Sequence, residues 1–125
     1  MSAAPIQNKN NQLVTVKNLT SKSADLFVYG EIVDNSEFKW DESDVMPDDV
    51  LAALESVEGL EELNIYINSP GGSVFAGQAI YNMLSRNKAK KNVYIDGVAA
   101  SMASVIAMVG DNIYIPSNAY LMIHK

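Results

Sequence analysis

A chain of 125 residues, 48% hydrophobic and 19% charged, has the size and composition of one folded domain. It has no cysteine and a single histidine, His124, which excludes a disulfide scaffold, a cysteine nucleophile and a thiolate or multi-histidine metal site. The net charge of −6 is uneven, with thirteen acids against four bases through Glu62 and two acids against five bases after it, and argues against nucleic acid as a partner.

Residues 1–12 are polar and unpatterned and are expected to form a flexible N-terminal tail with no apolar signal core. Val14 and Val16 alternate with Leu13, Thr15 and Lys17, as in a short edge strand. Asp25–Val33, rich in aromatic and β-branched residues, predicts a buried strand. Asp34–Asp44 reads as a solvated acidic loop carrying Phe38 and Trp40. Pro47 suits a first helical position, with Asp48 and Asp49 in the first turn. That helix is expected to run to about Val57, with Val50, Leu51 and Leu54 on one stripe and Gly59 ending it.

Strands and helices then alternate. Glu62–Asn68 predicts a strand, and Gly71, Gly72 and Ser73 open a helix of about 15 residues with Ala76, Ile80, Met83 and Leu84 on one face. Arg86, Lys88, Lys90 and Lys91 fall at its C-terminal end, where the helix dipole favours cations, so the cluster reads as structural. Asn92–Asp96 predicts a strand, Ala99–Val109 a small-residue helix, and Asn112–Pro116 and Tyr120–His124 two short strands. No apolar run reaches the roughly 18 residues of a membrane helix. This order implies right-handed βαβ crossovers, a largely parallel sheet and a single α/β domain.

Two strand-to-helix junctions carry residues suited to chemistry. The first is Asn68-Ser69-Pro70-Gly71-Gly72-Ser73. Its glycines permit a tight turn and close backbone approach, and outward amides there can hold a developing negative charge. Taken alone, the run fits a plain turn better. It lacks the spaced glycines of a Rossmann phosphate loop and the Gly-Lys-Ser/Thr of a Walker loop. The second junction, Asp96 to Ser104, places Ser101 just inside a predicted helix start, among alanines that leave room around it. Free amides and the dipole there favour an alkoxide and an oxyanion, although a serine also serves simply to satisfy a helix start. The run is not the G-x-S-x-G elbow of α/β-hydrolases. His124 ends an otherwise apolar strand, where a lone histidine is commonly structural. An oxyanion loop, a serine and a histidine are together the parts acyl transfer needs.

The runs Ile67–Gly72, Ala99–Met102 and Leu121–His124 resemble the Clp protease proteolytic-subunit (ClpP-like) serine peptidases. The run Val74–Asn82 is most similar to the ClpP-related head maturation (prohead) proteases of tailed phages and prophages. The resemblance covers about residues 25–125 and implies a ClpP/crotonase-like α/β fold of repeated β-β-α units, C-terminally incomplete. It implies Ser101 as nucleophile, His124 as general base, and the backbone amides of Gly72 and Met102 as the oxyanion hole. The edge at Gly71 and Ser73 would pair with an extended peptide substrate. Neither cofactor nor metal is implied. Among rival serines, Ser104 reads as a buried helix hydroxyl bonding back to a carbonyl, and Ser69 and Ser73 as turn or cap residues.

Asp96, five residues before Ser101, does not occupy the family's position for the triad acid. That acid and a long helical handle follow the histidine in such enzymes, so residues 13–125 are expected to be the N-terminal part of a protease domain. Loss of an orienting acid costs about 10⁴ in kcat, so this piece is expected to be weak or inactive. The resemblance further implies cleavage of capsid or scaffold protein, a homo-oligomeric ring, and a site of action in the bacterial host cytoplasm; the charge argues against a nucleic acid partner and the lack of a long apolar run against a membrane partner. Two alternatives stay open: a crotonase-like acyl-CoA enzyme and a non-catalytic assembly module.

Overall fold

The computed structural model describes residues 14–34 and 44–122. The expected tail over residues 1–12, the loop aromatics Phe38 and Trp40, and His124 lie outside the described residues. The elements run β1 (Val14–Lys17), β2 (Ser23–Tyr29), α1 (Pro47–Ser56), β3 (Glu62–Ser69), α2 (Val74–Arg86), β4 (Lys90–Ala100), α3 (Met102–Ala107), β5 (Asn112–Tyr114) and β6 (Tyr120–Met122). Among the described residues they form a six-stranded sheet ordered β1-β2-β3-β4-β5, with β6 on the far end of β4. Only the β1–β2 pair is antiparallel; the other pairs are parallel, as strand–helix alternation requires.

Period-two patterning decides which face is covered. Ala24, Leu26 and Val28 of β2, Leu63, Ile65 and Ile67 of β3, and Val93, Ile95 and Ala99 of β4 all point inward. Val50, Ala53 and Leu54 of α1, Ala76, Ile80 and Leu84 of α2, and Ala103, Ile106 and Ala107 of α3 pack against them in one cluster. Leu51, expected on the buried stripe of α1, stands 47% exposed, and Ala53 and Val57 take its place.

The opposite face carries a ring stack across four strands. Phe27, Tyr66, Tyr94 and Tyr114 succeed one another at centroid spacings of 4.7, 4.8 and 4.9 Å. Two residues back on each strand runs an amide relay. Asn112 donates to Asn92, Asn92 to Asn64, and Asn64 to Asp25, whose other oxygen accepts from Asn18.

Among the boundaries that differ from expectation, three have a clear physical reason. β2 stops at Tyr29 because Gly30, at φ +111°, turns the chain, and Ile32 makes isolated bridges to Val45 and Gly72. β4 continues through Gly97 to Ala100, since β3 pairs with it at Ala99 and β6 along Val98–Ala100. The following helix therefore begins only at Met102, and Ser101 precedes it rather than lying inside it.

Candidate active site

The first junction is built by backbone bonding around two glycines. The buried hydroxyl of Ser69 accepts from the Gly71 amide at 3.1 Å. Gly71 and Gly72 adopt φ of +100° and +146°, which L side chains rarely reach. The Ile32 amide donates to the Gly71 carbonyl at 2.8 Å, and the Ser73 amide donates to the Ile32 carbonyl at 2.9 Å. Successive residues of an extended chain direct their polar groups to alternate edges, so Gly72 turns its own N–H and C=O away from Ile32. Ser73 caps α2: its hydroxyl accepts from the Ala76 amide at 3.2 Å and donates to the Asp34 carboxylate at 2.5 Å.

The second junction centres on Ser101. Its φ of 55° and ψ of −124° form a sharp strand-to-helix turn that costs a non-glycine residue about 1–3 kcal/mol. The turn is held on both sides. The Ser101 amide donates to the Met122 carbonyl at 2.9 Å, and the Ser101 carbonyl accepts from the Ser104 amide at 3.0 Å. Ser104 is buried and its hydroxyl donates to the same carbonyl at 2.5 Å, the back-bonding role expected of it. Met102 lays its side chain over Gly77, where a Cβ would fall 2.7 Å from the methionine Cε, and so α2 and α3 approach closely.

The structure brings the two junctions into contact. A Cβ built on Gly71 would lie 2.6 Å from the Ala100 carbonyl oxygen, 2.8 Å from Ser101 Cβ and 3.2 Å from the Met102 nitrogen. Of the sequence-predicted site residues, Gly71, Gly72, Ser73, Ser101 and Met102 thus belong to one small region. His124 lies outside the described residues; Met122, two positions before it, holds the Ser101 amide.

Asp96 is engaged elsewhere. It accepts a short hydrogen bond from the Tyr29 hydroxyl. Partial burial, then that bond and the Asp96 charge, push Tyr29 up to about 12. Sequence reasoning missed Ile32, which fixes the glycine loop through its backbone and so leaves no side-chain signature. Among the described residues no three His, Cys, Asp or Glu side chains converge as a metal site would need, and no helix is long and apolar enough to cross a membrane.

The model of the Clp protease family matches residues 8–125. The ATP-dependent Clp protease proteolytic subunit of Deinococcus radiodurans is 41% identical over 78 residues, 60% of this chain and 38% of that protein. The subunit of the same name from Ligilactobacillus salivarius is 40% identical over 77 residues, 60% of this chain and 39% of that one. The solved structure of ClpP1 from Listeria monocytogenes superposes with a TM-score of 0.62 at 32% identity, over 80% of this chain and 55% of that chain. In each case the chain spans less than two thirds of the relative's own length. The family match spans nearly the whole sequence, and the structural likeness comes with 32% identity: the chain belongs to the Clp protease family.

Proposed function

We propose that the chain carries the site of a serine endopeptidase, with Ser101 as nucleophile, His124 as general base, and the Gly72 and Met102 amides as the oxyanion hole. The observation that supports this reading is the close approach of Gly71, the residue before Gly72, to Ala100, Ser101 and Met102. His124 follows Met122 by two residues, a stretch of chain that spans at most about 7 Å. In the reaction His124 takes the Ser101 proton as Oγ attacks the peptide carbonyl carbon. The carbonyl oxygen gathers negative charge between the two amides, His124 returns the proton to the leaving amine, and water releases the acyl group.

The segment Gly71–Ser73 is assigned to the substrate strand. Ile32 already occupies the Gly71 carbonyl and the Ser73 amide, so pairing there falls to the outward groups of Gly72. Residues 13–125 serve as the N-terminal part of the protease domain. Active-site labelling by a fluorophosphonate, with the complete protease domain and its triad acid present, tests the assignment: Ser101 is modified in the wild type, and Ser101→Ala is not. Absence of labelling on Ser101 would sink it and would favour an acyl-CoA enzyme or an assembly module.

The narrower reading is a homo-oligomeric head maturation protease acting on capsid or scaffold protein in the host cytoplasm. The Val74–Asn82 run supports it, while the curated relatives above are named as subunits of an ATP-dependent protease. Cleavage of assembled capsid precursor without nucleotide favours the narrower reading. Cleavage of unfolded polypeptide only with an ATP-driven unfoldase overturns it.

A further inference from the structure

We propose that Asn68, seated in a register slip of β4 beside Gly97, is the positioning residue that delivers Ser101 to the glycine loop, a role whose catalytic consequence rests on the peptidase reading above. From Glu62↔Lys90 to Ile67↔Ile95, β3 and β4 keep one constant register. Continued, that register would pair Ser69 with Gly97, but Ser69 pairs with Ala99. β4 therefore carries two residues more than β3 across this stretch. A shift of two keeps every side chain on its own face, so the apolar core of both strands is undisturbed.

The consequence lies just beyond the strands. The second register brings Gly71 level with Ser101, which matches the 2.8 Å between a Cβ on Gly71 and Ser101 Cβ. In the first register Gly71 would stand opposite Ala99, with Ser101 about 7 Å further along. The slip therefore decides which residue meets the oxyanion loop.

Asn68 occupies the slip and connects β3 both to β4 and to the turn that ends β2. Its side-chain oxygen accepts from the Val98 amide at 3.2 Å, and its main-chain carbonyl accepts from the Gly30 amide at 3.0 Å. The first bond gives Val98 an acceptor where the ladder to β3 is interrupted. Gly97 makes room for it: a Cβ there would fall 2.6 Å from the Asn68 side-chain oxygen and 3.3 Å from its Cγ. Gly97 is not among the positive-φ glycines, so what glycine supplies at this position is space.

The test compares wild type, Asn68→Ala, Asn68→Asp, Gly97→Ala and the Asn68→Ala/Gly97→Ala double variant in the full chain. Three quantities are read: fluorophosphonate labelling rate at Ser101, urea midpoint, and amide hydrogen exchange. Asn68→Ala is expected to slow labelling per folded molecule about 100-fold, the order that a displacement of about 1 Å produces. Exchange at Val98–Met102 should rise while Lys90–Ile95 stays protected. Asn68→Asp keeps the acceptor oxygen and should restore labelling to near wild type. Gly97→Ala evicts the amide and should match Asn68→Ala, and the double variant should be no worse than either. The proposal is overturned if Asn68→Ala labels like wild type once corrected for the folded fraction, or if Asn68→Asp is as slow as Asn68→Ala. If the wild type itself is not labelled, the peptidase reading falls; the register role is then decided by exchange alone, and an unchanged Val98 amide overturns it.

Discussion

A side chain on Gly72 would place its Cβ 2.0 Å from the carbonyl oxygen of Ile32. The loop and the strap at Ile32 are thus pressed together at backbone distance. Gly72→Ala must break the pairing with Ile32 as well as populate an unfavourable φ, which alone costs about 1–3 kcal/mol. We expect loss of Ser101 labelling together with a lower urea midpoint. Gly59→Ala is the control. Its φ is +85°, but nothing lies within 4 Å of the added Cβ. It should cost about 1 kcal/mol and leave labelling unchanged.

Ser101 has a strained φ, and Met122 and Ser104 bond its backbone on either side. Ser101→Ala should abolish labelling while the protein stays folded. Ser101→Gly should abolish labelling equally but unfold at higher urea than Ser101→Ala, by about 1 kcal/mol, because glycine occupies that region without strain. Equal midpoints for the two variants would refute the strained turn.

Tyr29 and Tyr66 supply the pH dependence. Burial is the first cause of both upward shifts, with Asp96 adding to it at Tyr29 and Asp25 at Tyr66. The folded state retains the Tyr29 proton to about 12, whereas the unfolded chain releases it near 10. Between those values the folded state binds more protons, so stability is intact below about pH 10 and falls as pH rises toward 12. Asp96→Asn should lower the Tyr29 titration without returning it fully to the free value, as tyrosinate absorbance will show.

Lys91 stands apart from the other bases of its cluster. It is buried, and its ammonium donates to the Asn87 carbonyl at 2.6 Å and to the Ala89 carbonyl at 3.0 Å, at the end of α2. Lys91→Met should cost about 1–3 kcal/mol in urea unfolding, since two carbonyls lose their donor. Exposed Lys88→Ala should stay within about 0.5 kcal/mol. Neither variant should alter Ser101 labelling.

Alternation of strands and helices, the two junctions and the buried face of α2 were legible because each rests on local pattern. Ser73 as cap and Ser104 as a back-bonding hydroxyl followed from residue type. The course of β4 was not legible. Gly97 resembles a breaker and Ala99-Ala100 a helix start, but pairing with β3 on one side and β6 on the other overrides local preference. Bonds through the backbone, such as those of Ile32, leave no trace in side-chain pattern. The ring stack was written in the sequence as an acid or amide two residues before an aromatic, at Asp25/Phe27, Asn64/Tyr66, Asn92/Tyr94 and Asn112/Tyr114. Its meaning appears only when the strands are laid side by side.

That stack has a practical consequence. Four rings held in fixed, twisted succession form a chiral chromophore array whose near-ultraviolet circular dichroism disappears when side-chain packing is lost. It sits on the sheet face opposite the helices and takes no part in the proposed reaction. The molecule thus carries an optical gauge of its own sheet, by which a variant that has lost chemistry can be told from one that has lost its fold.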